Sequence, residues 1–151
     1  LYVASLLRPY VSHVKLTERL SRNNPLSKMK LLGGVLSGIK VSADGKIGWI
    51  EITQPLCRKT GSKMDETEGF IDYARSLKGV RVAVCFKEED HKHLLTKVSF
   101  RSRGIDVNAI ARRFGGGGHK VASGCEIELP LKEAKKVVLE YVAGILNKTK
   151  K

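Results

Sequence analysis

Short segments rich in apolar residues alternate with polar stretches along this 151-residue chain. The segments "LSGIKV" and "KIGWIEIT" read as strands, and they flank Ala43, Asp44 and Gly45. An Asp-Gly step supplies the positive φ angles that a tight hairpin turn needs. The pattern therefore predicts a β-hairpin beginning near Val35.

A second pair of strands is predicted further along the chain. In "VRVAVCF", the residues Val80, Val82, Val84 and Phe86 fall on one face, whereas small residues fall on the other. Apolar residues on both faces are typical of a covered, central strand. The polar loop "KEEDHKH" then leads to the strand "LLTKVSFRSR", so we expect a hairpin or a short crossover here.

Helical periodicity separates these strands. In "DETEGFIDYARSLKG", Asp65 and Glu68 resemble a capping box, and Gly79 is placed as a C-terminal cap. The apolar face of this helix comprises Phe70, Ala74 and Leu77. In "DVNAIARRF", Asp106 is the N-cap candidate. The apolar residues that follow it at helical spacing are Val107, Ile110, Ala111 and Phe114.

The last elements are a strand, "VASGCEIEL", and a closing helix that begins at Pro130. The predicted apolar stripe of that helix comprises Ala134, Val138, Tyr141 and Ile145. The segment "QPLCRKTGSK" is expected to be a loop. Residues 1–32 are expected to be helical in pieces, with breaks at Pro9 and Pro25 and an N-cap at Ser12.

The fold class is therefore α/β with mixed connections. It consists mainly of a five-stranded sheet flanked by helices and preceded by a helical arm. We predict two parts, residues 1–32 as the arm and residues 33–151 as one domain with its own core. Because the chain begins with Leu1 in what looks like the middle of an element, we expect it to be part of a longer protein.

Composition adds a preference for polyanions. The formal net charge is +13, and residues 81–120 carry nine basic but only four acidic side chains. The three cysteines lie far apart, which favours buried thiols over disulfides or a zinc knuckle. No apolar run approaches eighteen residues and no signal-peptide pattern is present, so we expect a cytoplasmic protein without a membrane span.

The most unusual segment is "FGGGGHKVASG", in which four consecutive glycines precede His119 and Lys120. A slack linker is one interpretation, but the run joins an amphipathic helix directly to an apolar strand. It is not a phosphate-binding P-loop, because the loop leaves a helix instead of entering one. The alternative is a loop whose bare amides, together with nearby side chains, converge on an anion.

Basic side chains precede this loop. Strand alternation places Lys97, Ser99, Arg101 and Arg103 on one face of "KVSFRSR". Guanidinium groups bind phosphate oxygens bidentately, although two solvated charges at a strand end would show the same pattern. His119 is a candidate phosphate donor or base-stacking residue, or a structural hydrogen-bonding residue.

A metal site is not supported by the sequence. Asp90, His91 and His93 are close together in "EEDHKH", but they fall in a polar loop without a second group of ligands at a recognisable spacing. A solvated turn is the favoured interpretation.

The segments "VSFRSRG", "DVNAIARRFGGGGHKVASG" and "DETEGFIDYARSLKGVRVAVCFKE" together resemble the C-terminal DHH-associated domain of DHH phosphoesterases. The resemblance is strongest to the branch of nanoRNases, pAp phosphatases and cyclic-dinucleotide phosphodiesterases, and it covers about residues 33–149. It implies that one set of residues contacts the phosphate and base of a substrate nucleotide: Arg101, Ser102, Arg103, Gly115, Gly116, Gly117, Gly118, His119 and Ser123.

The resemblance also implies an N-terminal catalytic domain whose Asp and His residues, absent from this chain, bind manganese, with residues 1–32 as the end of that domain and the inter-domain helix. The chain itself is expected to hold no cofactor and no catalytic residue. Its expected partners are a nucleotide or short oligonucleotide and its own DHH domain, with a homodimer left open. Two rivals remain: an RNA-binding module like the one that ends alanyl-tRNA synthetases, and an interaction domain whose charge is incidental.

Overall fold

The computed structural model describes residues 23–90 and 94–149. Its helices, apart from a short 3-10 turn at Met64–Thr67, are α1 (Leu26–Ser37), α2 (Gln54–Thr60), α3 (Ile71–Ser76), α4 (Val107–Arg113) and α5 (Leu131–Lys148). Its strands are β1 (Lys40–Val41), β2 (Ile47–Ile52), β3 (Val82–Asp90), β4 (Leu95–Ser102), β5 (Gly117–His119) and β6 (Ala122–Ile127).

The strands form one mixed sheet in the order β1-β2-β3-β4-β6-β5. Strands β2 and β3 are parallel, and the other neighbouring pairs are antiparallel. The parallel pair is joined by a crossover that contains α2, the 3-10 turn and α3, as parallel pairing requires. This arrangement confirms the α/β class, with a sixth strand added by the glycine run.

The sheet has an apolar core on each face. One core contains β3 residues Val82 and Val84 with residues of α4 and α5. The other contains Ala83 and Cys85 with residues of α1, α2 and α3. The covered, central strand is thus confirmed. Val80 lies in the second core, not the first as expected, because it precedes the strand and alternation does not extend to it.

The prediction of a loop at "QPLCRKTGSK" is wrong, since α2 occupies most of it. The side chain of Thr53 accepts a hydrogen bond from the amide of Leu56 at 3.4 Å, and Pro55 lies in the first turn. Gly61 ends the helix with φ +68°. Both ends therefore carry ordinary capping signals.

The predicted capping box at Asp65 and Glu68 is also wrong. The Glu66 carboxylate instead accepts from the amide of Lys63 at 2.7 Å, which starts the 3-10 turn. The following helix, α3, begins after Phe70 without a side-chain cap. The segment therefore contains two separate elements, the 3-10 turn and α3, and Gly69 lies between them with a positive φ angle of +84°.

Helix α5 starts at Leu131, one residue later than predicted, and its buried face also differs from the prediction. Ala134 and Val138 are fully buried, whereas Val142 and Leu146 replace Tyr141 and Ile145 as the next buried positions. Four residues exceed one helical turn of 3.6 residues, so positions spaced by four move gradually around the helix. The line of contact between α5 and the twisted sheet is therefore oblique to the helix axis. Tyr141 instead packs edge-on against Phe114, with ring centroids 5.6 Å apart.

The N-terminal expectations are only partly visible. The predicted cap at Ser12 and the break at Pro9 lie outside the described residues. Helix α1 begins after Pro25 and continues to Ser37, with Leu31 and Val35 buried against the sheet. The predicted hairpin therefore does not begin near Val35, and its first strand is limited to Lys40–Val41. The division at residue 32 stays a prediction. None of the described helices combines the length and apolar character that crossing a membrane requires.

Candidate functional site

The glycine run follows α4, whose start is the one predicted. The carboxylate of Asp106 accepts from the amide of Ala109 at 3.1 Å. After Phe114, Gly115 takes a φ of +76°, and its amide donates to the carbonyl of Arg112 at 3.1 Å. The amide of Gly116 donates to the carbonyl of Ala111 at 2.9 Å. These two amides satisfy the helix end, so they are not free to hold an anion.

Close packing explains the second glycine of the run. A Cβ on Gly116 would overlap the carbonyl oxygen of Gly124 and would lie 2.5 Å from the Cβ of Cys125. A Cβ on Gly118, whose φ is +146°, would lie 2.7 Å from the carbonyl oxygen of Ala122. The run is therefore built into the sheet edge as β5 and is not a slack linker.

A pocket of about 340 Å³ lies beside this loop, and we call it the glycine pocket. It is lined by Lys97, Val98, Ser99, Gly115, Gly116, Gly124, Cys125 and Glu126. Directly opposite Gly124 on β4 is Ser99. Because Ser99 and the three glycines have small side chains or none, the backbone of β4, β6 and the loop after α4 borders this pocket.

A second pocket, of about 180 Å³, borders the same strand, and we call it the mixed-charge pocket. It is lined by Asp65, Thr67, Glu68, Gly69, Ile71, Cys85, Lys87, Ser99 and Arg101. Ser99 lines both pockets, so the two adjoin across β4. The sequence analysis missed the contribution of residues 65–71; the positive φ of Gly69 marks the turn that brings them to the sheet.

The charges of the mixed-charge pocket are not paired with each other. Two carboxylates, of Asp65 and Glu68, and two cations, of Lys87 and Arg101, line it. Within the described ranges none of the four is in an ion pair. One guanidinium nitrogen of Arg101 donates to the carbonyl of Phe100 at 2.9 Å. A ligand with both phosphate oxygens and hydrogen-bond donors would satisfy both kinds of charge.

The structure places the predicted site residues in different environments. Arg101 lines the mixed-charge pocket, and Gly115 and Gly116 line the glycine pocket. Arg103 and His119 are exposed and line neither of these pockets. Arg101 therefore adjoins the glycine pocket through Ser99, whereas Arg103 lines neither pocket, and their joint contact with one ligand stays a prediction.

The two predicted serines are buried. The hydroxyl of Ser102 donates to the carbonyl of Ile105 at 2.5 Å. The hydroxyl of Ser123 donates to the carbonyl of Val107 at 2.6 Å. Both hydrogen bonds tie a strand to the start of α4. These side chains fix the position of the helix that delivers the glycine run.

Three further buried groups lie beside the glycine run or line the two pockets. The side-chain oxygen Oδ1 of Asn108 is buried without a hydrogen-bond partner among the described residues, and it lies 3.7 Å from the ideal Cβ position of Gly117. Burial raises the pKa of the Cys125 thiol to about 11 and that of Cys85 to about 12. Both thiols are thus protonated and unreactive at neutral pH, and the prediction of buried thiols is confirmed.

No group of three or more His, Cys, Asp or Glu side chains within residues 23–90 and 94–149 is arranged to hold a metal ion. The described residues therefore do not fit a manganese centre. His91 and His93, which the sequence analysis considered and set aside, lie outside the described residues.

Comparison with known proteins places these features in a family. The DHHA1 domain family matches residues 39–148. A bifunctional oligoribonuclease and PAP phosphatase, NrnA, from Bacillus subtilis is 30% identical over 126 residues, which is 83% of this chain and 39% of that protein. NrnA from Thermus thermophilus is 34% identical over 147 residues, 96% of this chain and 43% of that protein.

Solved structures give the same fold. An exopolyphosphatase-related protein from Bacteroides fragilis aligns with a TM-score of 0.83 at 30% identity, covering 96% of this chain and 43% of that one. The pGpG-specific phosphodiesterase PggH of Vibrio cholerae aligns with a TM-score of 0.53 at 17% identity, which supports the fold alone. The chain spans about two fifths of the curated relatives it matches. The family match covers the whole described sheet and all the described helices except α1, so the chain belongs to the DHHA1 domain family.

Proposed function

We propose that this chain is the C-terminal, substrate-binding domain of a DHH-family phosphoesterase and that it binds the terminal nucleotide of a short oligonucleotide. The observation that carries the proposal is the pair of adjoining pockets joined by Ser99 in a DHHA1 domain. The net charge of +13 favours the approach of a polyanion.

The two pockets are proposed to contact different parts of the ligand. Arg101 and Lys87 are placed to contact phosphate oxygens, while Asp65 and Glu68 are placed to accept from donors on a base or sugar. The glycine pocket receives the neighbouring part of the ligand against open backbone. Gly117, Gly118, His119 and Arg103 remain proposed contacts at the rim, whereas Ser102 and Ser123 act by positioning α4.

The chemistry of the whole protein is part of the same proposal. Two-metal hydrolysis requires clustered carboxylate and histidine ligands, and the described residues offer no such cluster. We therefore place manganese and the hydrolysis of short oligoribonucleotides, pAp or cyclic dinucleotides in a preceding DHH domain. Incubating the 151-residue chain with manganese and a labelled dinucleotide should give no turnover; sustained hydrolysis would contradict this assignment.

Binding is tested directly with a labelled dinucleotide. Arg101→Gln should weaken binding by about tenfold or more, because a charge-assisted phosphate contact contributes about 1.5–3 kcal/mol. Lys136→Gln is the matched control, since Lys136 is exposed on α5, whose buried face packs against the other side of the sheet. Equal affinity for all three proteins would reject the site.

Titration with tRNA, a dinucleotide and AMP separates this proposal from a non-hydrolytic RNA-binding module. The phosphoesterase domain should bind the single-stranded dinucleotide more tightly than folded tRNA, and a marked preference for tRNA would favour the alternative. The proposed DHH partner domain, a homodimer and a cytoplasmic location are separate expectations that this titration does not address.

A further inference from the structure

Four basic residues lie in neighbouring segments at the end of the sheet that adjoins the β5–β6 turn: Lys46, Arg81, Arg103 and Lys120. The register pairs Ile47 with Val82 and Val82 with Ser102, so one residue further out Arg81 lies between Lys46 and Arg103. The amide of Arg81 donates to the carbonyl of Lys46 at 2.8 Å, and the amide of Arg103 donates to the carbonyl of Arg81 at 2.9 Å. The hydrogen bonds thus place three cations in one cross-strand row.

The fourth cation belongs to the turn between β5 and β6. The amide of Ser102 donates to the carbonyl of Val121 at 3.1 Å, so Val121 lies opposite Ser102 and Lys120 lies next to Arg103. The carbonyl of Lys120 accepts from the amide of Val107 at 2.8 Å, which anchors the turn against α4. Neighbouring segments of a sheet are about 4.8 Å apart, so the row from Arg81 to Lys120 spans roughly 10 Å of backbone.

Such a row is unfavourable for the folded domain by itself. Like charges directly opposite one another on neighbouring strands repel. Arg103 and Lys120 are exposed, and Arg81 is half-buried. None of these three is in an ion pair with another described residue. The nearby carboxylate of Asp106 caps α4. A ligand with several negative charges would relieve the repulsion.

The row adjoins the proposed binding site. Arg101 pairs with Ala83 and Ala122, so it lies two residues inward from the row along the same strands. We propose that Arg81, Arg103 and Lys120 bind the phosphates of nucleotides that follow the one held in the pockets. This inference rests on the proposed function, and it assigns a role to Arg103, which lines neither pocket.

The experiment compares a dinucleotide with a seven-nucleotide single-stranded RNA on the 151-residue chain. The double variant Arg81→Gln/Lys120→Gln should bind the longer RNA about tenfold or more weakly and the dinucleotide with unchanged affinity. For the longer RNA, the logarithm of the association constant is plotted against the logarithm of the salt concentration. The slope of this plot should be smaller in magnitude by about 1.4 in the double variant than in wild type, which is about 0.7 for each lost phosphate contact. Lys132→Gln/Lys136→Gln removes the same charge from α5 and should change neither value appreciably.

The variants test the pockets and the row of basic residues separately. If the pockets are wrong, Arg101→Gln leaves dinucleotide binding intact; if the row is wrong, the double variant binds the longer RNA like the α5 control. A wild-type chain with no preference for the longer RNA would also overturn the row. Unfolding in urea adds a second readout: relief of repulsion should leave the double variant at least as stable as wild type, so a loss of stability contradicts the electrostatic argument.

Discussion

Replacing Gly116 by alanine adds one methyl group where the structure has no room for it. The new Cβ would overlap the carbonyl oxygen of Gly124 and would lie 2.7 Å from the Cα of Cys125. These neighbours are backbone atoms of β6, a strand paired on both sides, so they cannot move as a flexible side chain would. The loop and the strand must separate, which opens one wall of the glycine pocket.

Gly117→Ala is the matched control, because it makes the same chemical change at the next residue. Its φ lies outside the left-handed region, and the nearest atom to its new Cβ is Oδ1 of Asn108 at 3.7 Å, an ordinary contact. Alanine also loses less conformational freedom on folding than glycine. We expect the free energy of unfolding of Gly117→Ala to stay within about 0.5 kcal/mol of wild type, the range of a substitution that disturbs no packed feature.

The expected cost of Gly116→Ala is about 2 kcal/mol, within the usual range for overpacking a tight site. For a domain of this size that corresponds to a melting temperature lower by roughly 4–8 °C. Urea unfolding measures both variants, and only Gly116→Ala should unfold at a lower urea concentration than wild type. If the two variants unfold at the same urea concentration, the close approach of loop and strand is not what requires glycine here.

Three further predictions concern the supports of the site. Ser123→Ala should cost about 1–3 kcal/mol in urea unfolding, because the buried carbonyl of Val107 loses its hydroxyl donor; Ser123→Thr, which keeps a hydroxyl, should recover part of it. Asp106→Ala should cost about 1 kcal/mol through loss of the α4 cap, and Asp106→Asn much less, so equal losses would exclude capping. Burial raises the pKa of Cys85 from 9.0 to about 12, so the stability that the neutral thiol provides is complete below pH 9 and falls as pH rises toward 12. The slope contributed is at most about 1.4 kcal/mol per pH unit, and Cys85→Ala should flatten the pH profile above pH 9 relative to wild type.

Part of the candidate site could be located from the sequence, but its division into two pockets could not. Arg101, Gly115 and Gly116 lie on or beside the sheet face where alternation and the glycine run placed them. The turn at residues 65–71 was assigned as a capping box and first helical turn, because the local pattern of acidic residues fits either arrangement. Its contact with β3 and β4 depends on the crossover, which no local signal specifies.

The sequence alone determined the elements whose signals are local. Alternation in β3 predicted a strand with apolar residues on both faces, and the cap at Asp106 with regularly spaced apolar residues predicted α4, because short-range sterics and hydrogen bonds decide both. Only the tertiary structure decided which distant residues became neighbours. Strand register places Lys46, Arg81 and Arg103 in one row. The packing of the loop after α4 against β6 leaves no room for a Cβ on Gly116 beside Gly124. Register depends on burying the apolar face of every strand at once, so it is a property of the whole sheet and not of any one segment.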